Sequence, residues 1–309
     1  MSLVTCMLEL IFLGTGASVP SRDKSLSCVA VRHGSNITMF DCGEGSQRQM
    51  MVSSLSFMKV NQIFITHLHG DHVLGLPGLL QTMGMSGRKN PLLVCGPKGI
   101  KKALTAMLDA CEGSMEYALD IKELKSEEKI ELKGFSVTSF KTEHVVNSLG
   151  YILKENDAPG KFDKSKALEL GLKPGPDFTR LQNGETINGV RPEQIIGKSK
   201  PGCSIAYTGD TIPCDSVSKA VKGVDVLIHE STFSKKESKL AIEHMHSTAE
   251  QAAITARESG AKALMLVHIS NRYDDVAVIE NEAKEIFNYS MAVKDMQTFH
   301  VTNSSIKLI

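Results

Sequence analysis

Ile63-Phe64-Ile65-Thr66-His67-Leu68-His69-Gly70-Asp71-His72 runs from an apolar, strand-length segment straight into three imidazoles and a carboxylate. Polar groups crowded behind a buried strand need partners, because an unpaired one costs roughly 2–7 kcal/mol on leaving water. A borderline cation such as Zn²⁺ accepts imidazole nitrogen and carboxylate oxygen alike. Gly70 removes the Cβ that would obstruct a turn aiming these side chains into one cleft. Four ligands from one segment exceed what a single catalytic metal takes, so the stretch predicts two adjacent metals, each with a position left for water. A histidine tract that binds metal adventitiously is the plainer reading, but it would lack the strand–turn–helix setting.

Further ligands stand at other strand ends. His144 follows the strand-like run Phe135–Phe140, Asp210 lies just past Ile205–Tyr207, and His268 ends Leu264–Val267. A lone histidine is more often structural than a ligand, yet open α/β sheets place their sites where strands run out. Leu8–Leu13, Ile37–Phe40, Leu92–Val94 and Val226–Ile228 also read as buried strands. Val73–Thr82, Gly99–Ala110 and Thr248–Ser259 carry helical spacing between them. For the last of these, Ser247 with Glu250 predicts a capping box and Gly260 a stop. Interleaved strands and helices predict an α/β layered fold.

The 309 residues suit one large domain, and no apolar run approaches the roughly 18 needed to span a membrane. The start, Met1 to Leu13, has no basic segment and carries Glu9, so no secretory signal is expected. Seven cysteines (Cys6, Cys28, Cys42, Cys95, Cys111, Cys203 and Cys214) form no C-x-x-C pair, and read as buried thiols of a reducing, cytoplasmic compartment. Thirty-five basic and 35 acidic residues cancel, so nucleic-acid binding would need a local patch rather than a basic chain. Residues 152–201 are dense in Pro and Gly, which favours turns over packed elements. They read as a protruding insertion with one short helix around Lys164–Leu170 and a net charge of only two; a plain surface loop is the alternative.

His67-x-His69-x-Asp71-His72 with the later His144, Asp210 and His268 resembles the metallo-β-lactamase superfamily. That resemblance implies a four-layered αβ/βα sandwich spanning residues 1–309 as one catalytic domain. Phe12-Leu13-Gly14-Thr15-Gly16-Ala17, Phe40-Asp41-Cys42-Gly43-Glu44-Gly45, His229-Glu230-Ser231-Thr232-Phe233 and His246-Ser247-Thr248 together resemble the ribonuclease Z family of tRNA 3′-processing endonucleases. Pro174-Gly175-Pro176 is similar to the motif in that family's flexible substrate-binding arm, here 152–201. The Pro-x-Lys-x-Arg-Asn loop of many bacterial members has as its counterpart Pro20-Ser21-Arg22-Asp23-Lys24-Ser25, without the Arg-Asn pair.

The family pattern implies two zinc ions per subunit. One is held by His67, His69, His144 and Asp210; the other by Asp71, His72, Asp210 and His268, with Asp210 bridging. It implies Asp71 as general base and His246 as the acid that protonates the leaving 3′-oxygen, and Glu230 is the candidate partner of His246. Arg22, Lys24, Arg48, Arg88 and Lys89 are candidate phosphate contacts, while His33, His229, His244 and His300 are expected to be structural. The implied reaction removes the 3′ trailer of precursor tRNA, leaving a 3′-hydroxyl on the tRNA and a 5′-phosphate on the trailer. The implied assembly is a cytoplasmic homodimer, not membrane-bound, in which the arm of one subunit serves the other. A metal-dependent small-molecule hydrolase (phosphodiesterase, thioesterase or lactonase) of the same superfamily is the alternative, and a binding module that has lost its chemistry is a third.

Overall fold

Leu8, Leu10 and Phe12 enter one core while Ile11 and Leu13, from the same strand, enter another. Successive side chains of a strand point to opposite faces, so a strand apolar on both faces must be covered on both. The computed structural model describes residues 7–111 and 115–309, and Cys6 lies outside them. The chain lays down β1 (Leu8–Gly14), β2 (Cys28–His33), β3 (Asn36–Phe40), α1 (Ser46–Val52), β4 (Val60–Phe64), α2 (Gly70–Val73), α3 (Gly75–Met85), β5 (Leu92–Gly96), α4 (Ile100–Asp109) and β6 (Leu119–Glu123). It then continues through β7 (Lys129–Leu132), β8 (Phe135–Lys141) and β9 (Leu149–Glu155). Three helices, α5 (Lys164–Glu169), α6 (Pro176–Gln182) and α7 (Pro192–Ile195), precede β10 (Ser204–Tyr207), α8 (Asp215–Ala220), β11 (Val226–Glu230), α9 (Ser238–Glu243), α10 (Ala249–Ser259), β12 (Ala263–Val267) and α11 (Ala277–Ile286). β13 (Ser290–Ala292), β14 (Thr298–Thr302) and β15 (Ser305–Leu308) follow.

One sheet has the order β15-β14-β1-β2-β3-β4-β5-β6 and the other β13-β12-β11-β10-β9-β8-β7. Phe12, Phe40, Phe64, Phe135, Tyr151, Tyr207 and Phe299 form a shared core between them. The first sheet's other face is covered by α1, α3 and α4, and the second's by α8, α10 and α11. Helix, sheet, sheet, helix: this is the expected four-layered αβ/βα sandwich. Strands β3 to β6 run parallel, as do β10 to β13. The C-terminal ends of β3, β4, β10, β11 and β12 carry Asp41, Thr66–His72, Asp210, Glu230 and His268.

Several expectations need correcting. The cap of α10 is one residue late: Thr248 accepts from Gln251 N, and the Gln251 side chain answers the Thr248 N–H. Ser247 instead donates its hydroxyl to Thr211 O, which ties the helix entry to the Asp210 loop. Gly260 does end the helix, at φ 70°. Cys111 is exposed and Cys214 half-buried, while Cys28, Cys42, Cys95 and Cys203 are buried. Burial pushes the Cys42 and Cys95 thiols up to about 12.

Residues Lys154–Gly202 form a second compact unit. Its first residue lies inside β9, so Ile152 and Leu153 are sheet rather than insertion. Dense Pro and Gly did not exclude packing: Ala167, Leu172, Leu181, Ile187, Val190 and Ile195 cluster with Phe162 and Phe178 between three helices, not one. The turns fall between the apolar positions and let short helices close on each other. Gly175, at φ 107°, makes the entry to α6 that Pro176 starts.

The turn bearing Asp71 and His72 rests on the loop after β3 with no side chain between them. Cys42 N donates to His72 O at 2.8 Å and Gly75 N to Cys42 O at 2.9 Å. A Cβ on Gly75 would lie 2.1 Å from Gly43 O. We therefore expect Gly75→Ala to cost about 1–3 kcal/mol in a denaturant titration, as for other overpacked contacts, and to weaken metal uptake in step.

Candidate metal centre

β4 delivers Thr66 and His67 at its end, and the turn into α2 adds His69, Asp71 and His72. The loop after β8 brings His144, the loop after β10 brings Asp210, and β12 ends at His268. The structure gathers all seven. His67 Nε2 is 3.0 Å from His69 Nδ1 and 3.6 Å from Asp210 Oδ2, and His144 Nε2 is 3.2 Å from His69 Nδ1. Around a second point, His72 Nε2 is 3.6 Å from Asp71 Oδ2 and 3.4 Å from Asp210 Oδ2. His268 Nε2 lies 3.3 Å from Asp71 Oδ2 and 3.5 Å from Asp210 Oδ2. Two atoms each ~2.1 Å from one tetrahedral zinc stand about 3.4 Å apart, so these spacings are those of ligand shells. His67, His69, His144 and Asp210 could hold one ion, and Asp71, His72 and His268 a neighbouring one, with Asp210 Oδ2 within reach of both.

The donor chemistry fits divalent cations. His72 Nε2 and Asp210 Oδ1 are buried without a hydrogen-bond partner, a cost that metal coordination removes. Burial, with neighbouring imidazoles, lowers His67 well below the ordinary histidine range, and burial lowers His69 and His144. Neutral imidazole is the ligating form. Burial opposes ionisation of Asp210, but His268 and His72 outweigh it and hold the carboxylate ionised; His268 does the same for Asp71. At His72, burial is outweighed by Asp210 and Asp41, which hold positive charge there. The pocket is built to be neutralised by a cation.

Two buried carboxylates orient the ligands. Asp41, held at φ 59°, accepts from Thr66 N at 2.7 Å, from His72 Nδ1 at 2.7 Å and from Tyr207 Oη at 2.8 Å. The Thr66 hydroxyl also donates to it at 2.9 Å and accepts from His67 Nδ1 at 3.0 Å. Asp41 thus fixes two imidazoles, one directly and one through a threonine, with their Nε2 atoms facing the metal site. Glu230 repeats the device. It takes His246 Nδ1 at 2.8 Å and the Thr232 hydroxyl at 2.7 Å, and that hydroxyl accepts from His268 Nδ1 at 2.8 Å. His144 Nδ1 donates to Met245 O at 2.9 Å. Met245 and His268 sit at φ 55° and 54°, and such left-handed backbone costs about 1–3 kcal/mol per residue.

A cleft of about 470 Å³ opens over this group, lined among others by His246, Ser18, Phe233, His244 and Arg272. Burial would lower His246, but the Glu230 carboxylate beside it raises it to about 9, so the ring is protonated at neutral pH with Nε2 left for a substrate.

The other candidates fall elsewhere. Arg88 is buried and donates to the carbonyls of Asn90, Met58 and Pro91, which excludes it as a phosphate contact. Lys89 pairs with Glu116. The Lys24 ammonium is engaged by Ser270 O and Tyr273 O at 3.3 and 3.2 Å, pinning the loop after β12 rather than facing solvent freely. Arg22 and Arg48 are exposed, as are Pro174, Gly175 and Pro176 in the second unit. His229 is buried and His300 lies in β14, but His244 lines the cleft, stacked on Phe233 at 6.3 Å, and was not expected there. Arg272, over the same Phe233 ring at 4.9 Å, had no motif to mark it. The orienting role of Asp41 leaves no trace beyond the Phe40–Gly45 motif, because its partners Thr66, His72 and Tyr207 come from two distant segments.

Asp41→Asn keeps the shape of the hub but loses its charge. It should lower affinity for Zn²⁺ about 10–100-fold in chelator competition, the usual effect of removing a partner that orients metal ligands.

A family profile described as anti-Pycsar protein Apyc1 matches residues 8–158, and one described as a beta-lactamase superfamily domain matches residues 179–269. The chain is 43% identical over 302 residues to ribonuclease Z of Methanosarcina mazei, covering 96% of this chain and 98% of that protein. Ribonuclease Z of Bacillus subtilis is 38% identical over 304 residues, covering 95% and 99%. The crystal structure of human tRNase Z, short form, superimposes with a TM-score of 0.70 at 27% identity, covering 94% of this chain and 98% of that one. Likeness of this extent, end to end and through every segment that supplies the metal centre, makes the chain a member of the ribonuclease Z family.

Proposed function

We propose that this chain is a metal-dependent endoribonuclease that removes the 3′ trailer from tRNA precursors, leaving a 3′-hydroxyl on the tRNA and a 5′-phosphate on the trailer. The observation that carries the reading is the pair of adjacent ligand sets sharing Asp210, in a chain similar throughout to ribonuclease Z proteins. Two zinc ions per subunit are the natural occupants, given the imidazole-rich sets and tetrahedral spacings. When bound, they supply an activated water and neutralise charge on the scissile phosphate. His67, His69 and His144 bind and orient on one side, and His72 and His268 on the other. Asp71 Oδ2, ionised and fixed by Ser18 N at 2.9 Å, is placed to take the nucleophile's proton. His246, protonated against Glu230, donates to the leaving 3′-oxygen, and Thr232 locks Glu230 in place.

Residues 152–201 would grip the tRNA body as an arm, supported by the separate compact unit with its own core and the exposed Pro174-Gly175-Pro176 turn. We read the assembly as a homodimer in which one subunit's arm serves the other's active site. No helix among the described residues is long and apolar enough to cross a membrane, and a cytoplasmic setting suits unpaired thiols and a tRNA substrate. The cleft also admits a small phosphodiester, so the alternative of a small-molecule hydrolase is decided by what the arm does.

Asp71→Ala should lower kcat/KM on a 3′-extended tRNA precursor by at least ~1,000-fold while the tRNA dissociation constant moves less than ~3-fold, because the residue acts on chemistry and not on grip. Single-turnover kinetics beside filter binding checks both, and near-normal turnover would remove Asp71 from the mechanism.

Replacing residues 157–200 by a short flexible linker leaves every ligand in place, so elemental analysis should still find two metals per chain. Hydrolysis of bis(p-nitrophenyl) phosphate should persist within about 3-fold, whereas precursor cleavage should fall by about 100-fold or more through KM. Tight salt-dependent tRNA binding should flatten with it. Unchanged tRNA cleavage would sink the arm.

A further inference from the structure

Asp295 lies between β13 and β14, where the chain crosses from one sheet to the other. Its carboxylate gathers three segments. Oδ1 accepts from Thr15 N at 2.9 Å and from the Thr15 hydroxyl at 2.8 Å. Oδ2 accepts from Ser25 N at 2.6 Å and from Gln49 Nε2 at 3.2 Å. Burial favours the protonated acid, and the donors from Ser25 and Thr15 offset it. Four neutral donors converge here, so the side chain serves them all only as an acceptor without a proton of its own.

Thr15 and Ser25 are the two ends of one loop. Residues 15–25 leave β1 and turn back towards β2, and Gly16 N closes the base on Ser25 O at 2.9 Å. Ser18 to Asp23 are exposed, and Ser18 stands at φ 57°, left-handed backbone that a serine keeps only where its surroundings impose it. That strained amide meets the chemistry: Ser18 N donates to Asp71 Oδ2 at 2.9 Å. Across the same oxygen stands His268 Nε2 at 3.3 Å, a candidate ligand atom, so once metal is held the amide is left to orient the carboxylate. Lys24 and Asn271, whose amide donates to Val19 O at 2.5 Å, fasten the rim of the loop to the segment after His268. Asp295 grips both of its ends.

We propose that Asp295 is a positioning residue for the hydrolysis: by holding Thr15 and Ser25 together it sets the Ser18 amide against Asp71 Oδ2, and so aims the base at the nucleophile. The proposal rests on the reading of Asp71 as base and names what keeps that base in line. Asparagine is the discriminating replacement. It matches the carboxylate in shape, but one oxygen becomes an NH₂ facing the donors of Thr15 or of Ser25, which frees that end of the loop.

Kinetics and amide hydrogen exchange on the metal-loaded full chain test it. Asp295→Asn should lower kcat about 30-fold or more on both precursor tRNA and bis(p-nitrophenyl) phosphate, with KM within ~3-fold and the metal content unchanged. Exchange at the Ser18 amide should quicken at least ~10-fold while amides of β1 and β4 keep their rates, a local release that a general loss of stability does not produce. In an Asp71→Ala background the same change should cost less than ~2-fold further in kcat, because it acts through Asp71. Gln49→Met removes a donor that lies off the loop, so kcat and Ser18 exchange should stay within ~2-fold even if the thermal midpoint falls. Should Asp295→Asn not fold, Thr15→Val, which deletes one hydroxyl donor, should show the same pattern with kcat down about 3–10-fold. Unchanged kcat beside an inactive Asp71→Ala enzyme overturns the positioning role and leaves the base standing. A loss confined to KM for tRNA, or a full additive loss in the Asp71→Ala background, overturns it equally. An active Asp71→Ala enzyme overturns the base reading first, and this proposal with it.

Discussion

The carboxylate of Asp41 holds the end of β4, the ring of His72 and the hydroxyl of Tyr207 at once, and the metal centre is shaped around it. Its donors come from both sheets, since β3 and β4 belong to one and β10 to the other. An ionised group with no exposure is tolerable only when its lone pairs are filled, and here backbone, imidazole, threonine and phenol fill them. Losing any donor leaves part of that charge unanswered, so the junction of the two sheets is stiff where precision in the ligands is needed.

Glu230 is the counterpart on the second sheet, and the parallel is chemical. Each carboxylate contacts one histidine directly and another through a threonine hydroxyl that donates to the carboxylate while accepting from the ring. A threonine in that position fixes the tautomer, because its single proton is committed to the acid. The histidines then present Nε2 inward. The difference lies in what the direct contact serves: at Asp41 it is a candidate ligand, His72, and at Glu230 it is His246, whose remaining nitrogen faces the cleft. Neighbouring carboxylates thus divide between fixing metals and sustaining a proton donor.

Strain is concentrated in the same place. Asp41, Met245 and His268 all take left-handed backbone, and each is anchored by a contact that the site uses. Gly43 and Gly75 meet backbone to backbone beneath the ligand turn, so the first helical layer is packed against chemistry rather than merely against the sheet. The exposed side of that layer is apolar, with Met51, Val52, Leu74 and Met85 open to solvent.

Much of this was legible in the chain before folding. Local rules sufficed for the strand that ends in His67–His72, for Gly260 as a helix stop, and for apolar runs that demanded cover on both faces, because each depends on neighbours within a few residues. The resemblance of separated motifs carried the family and the sandwich. Only the tertiary structure decided what depends on distance: that Thr248 rather than Ser247 caps α10, since Ser247 is drawn to Thr211; that Arg88 is spent on three carbonyls and Lys24 on two; and that the Pro- and Gly-rich stretch closes a small core of its own. Likewise the motifs held Asp41, Thr66 and Thr232 but not their hydrogen-bonding roles, and Tyr207 stood in a plain strand, since a hydrogen bond between residues 41 and 207 leaves no periodic trace along the chain. Charge and periodicity are properties of a segment, but satisfying a buried charge is a property of the whole fold.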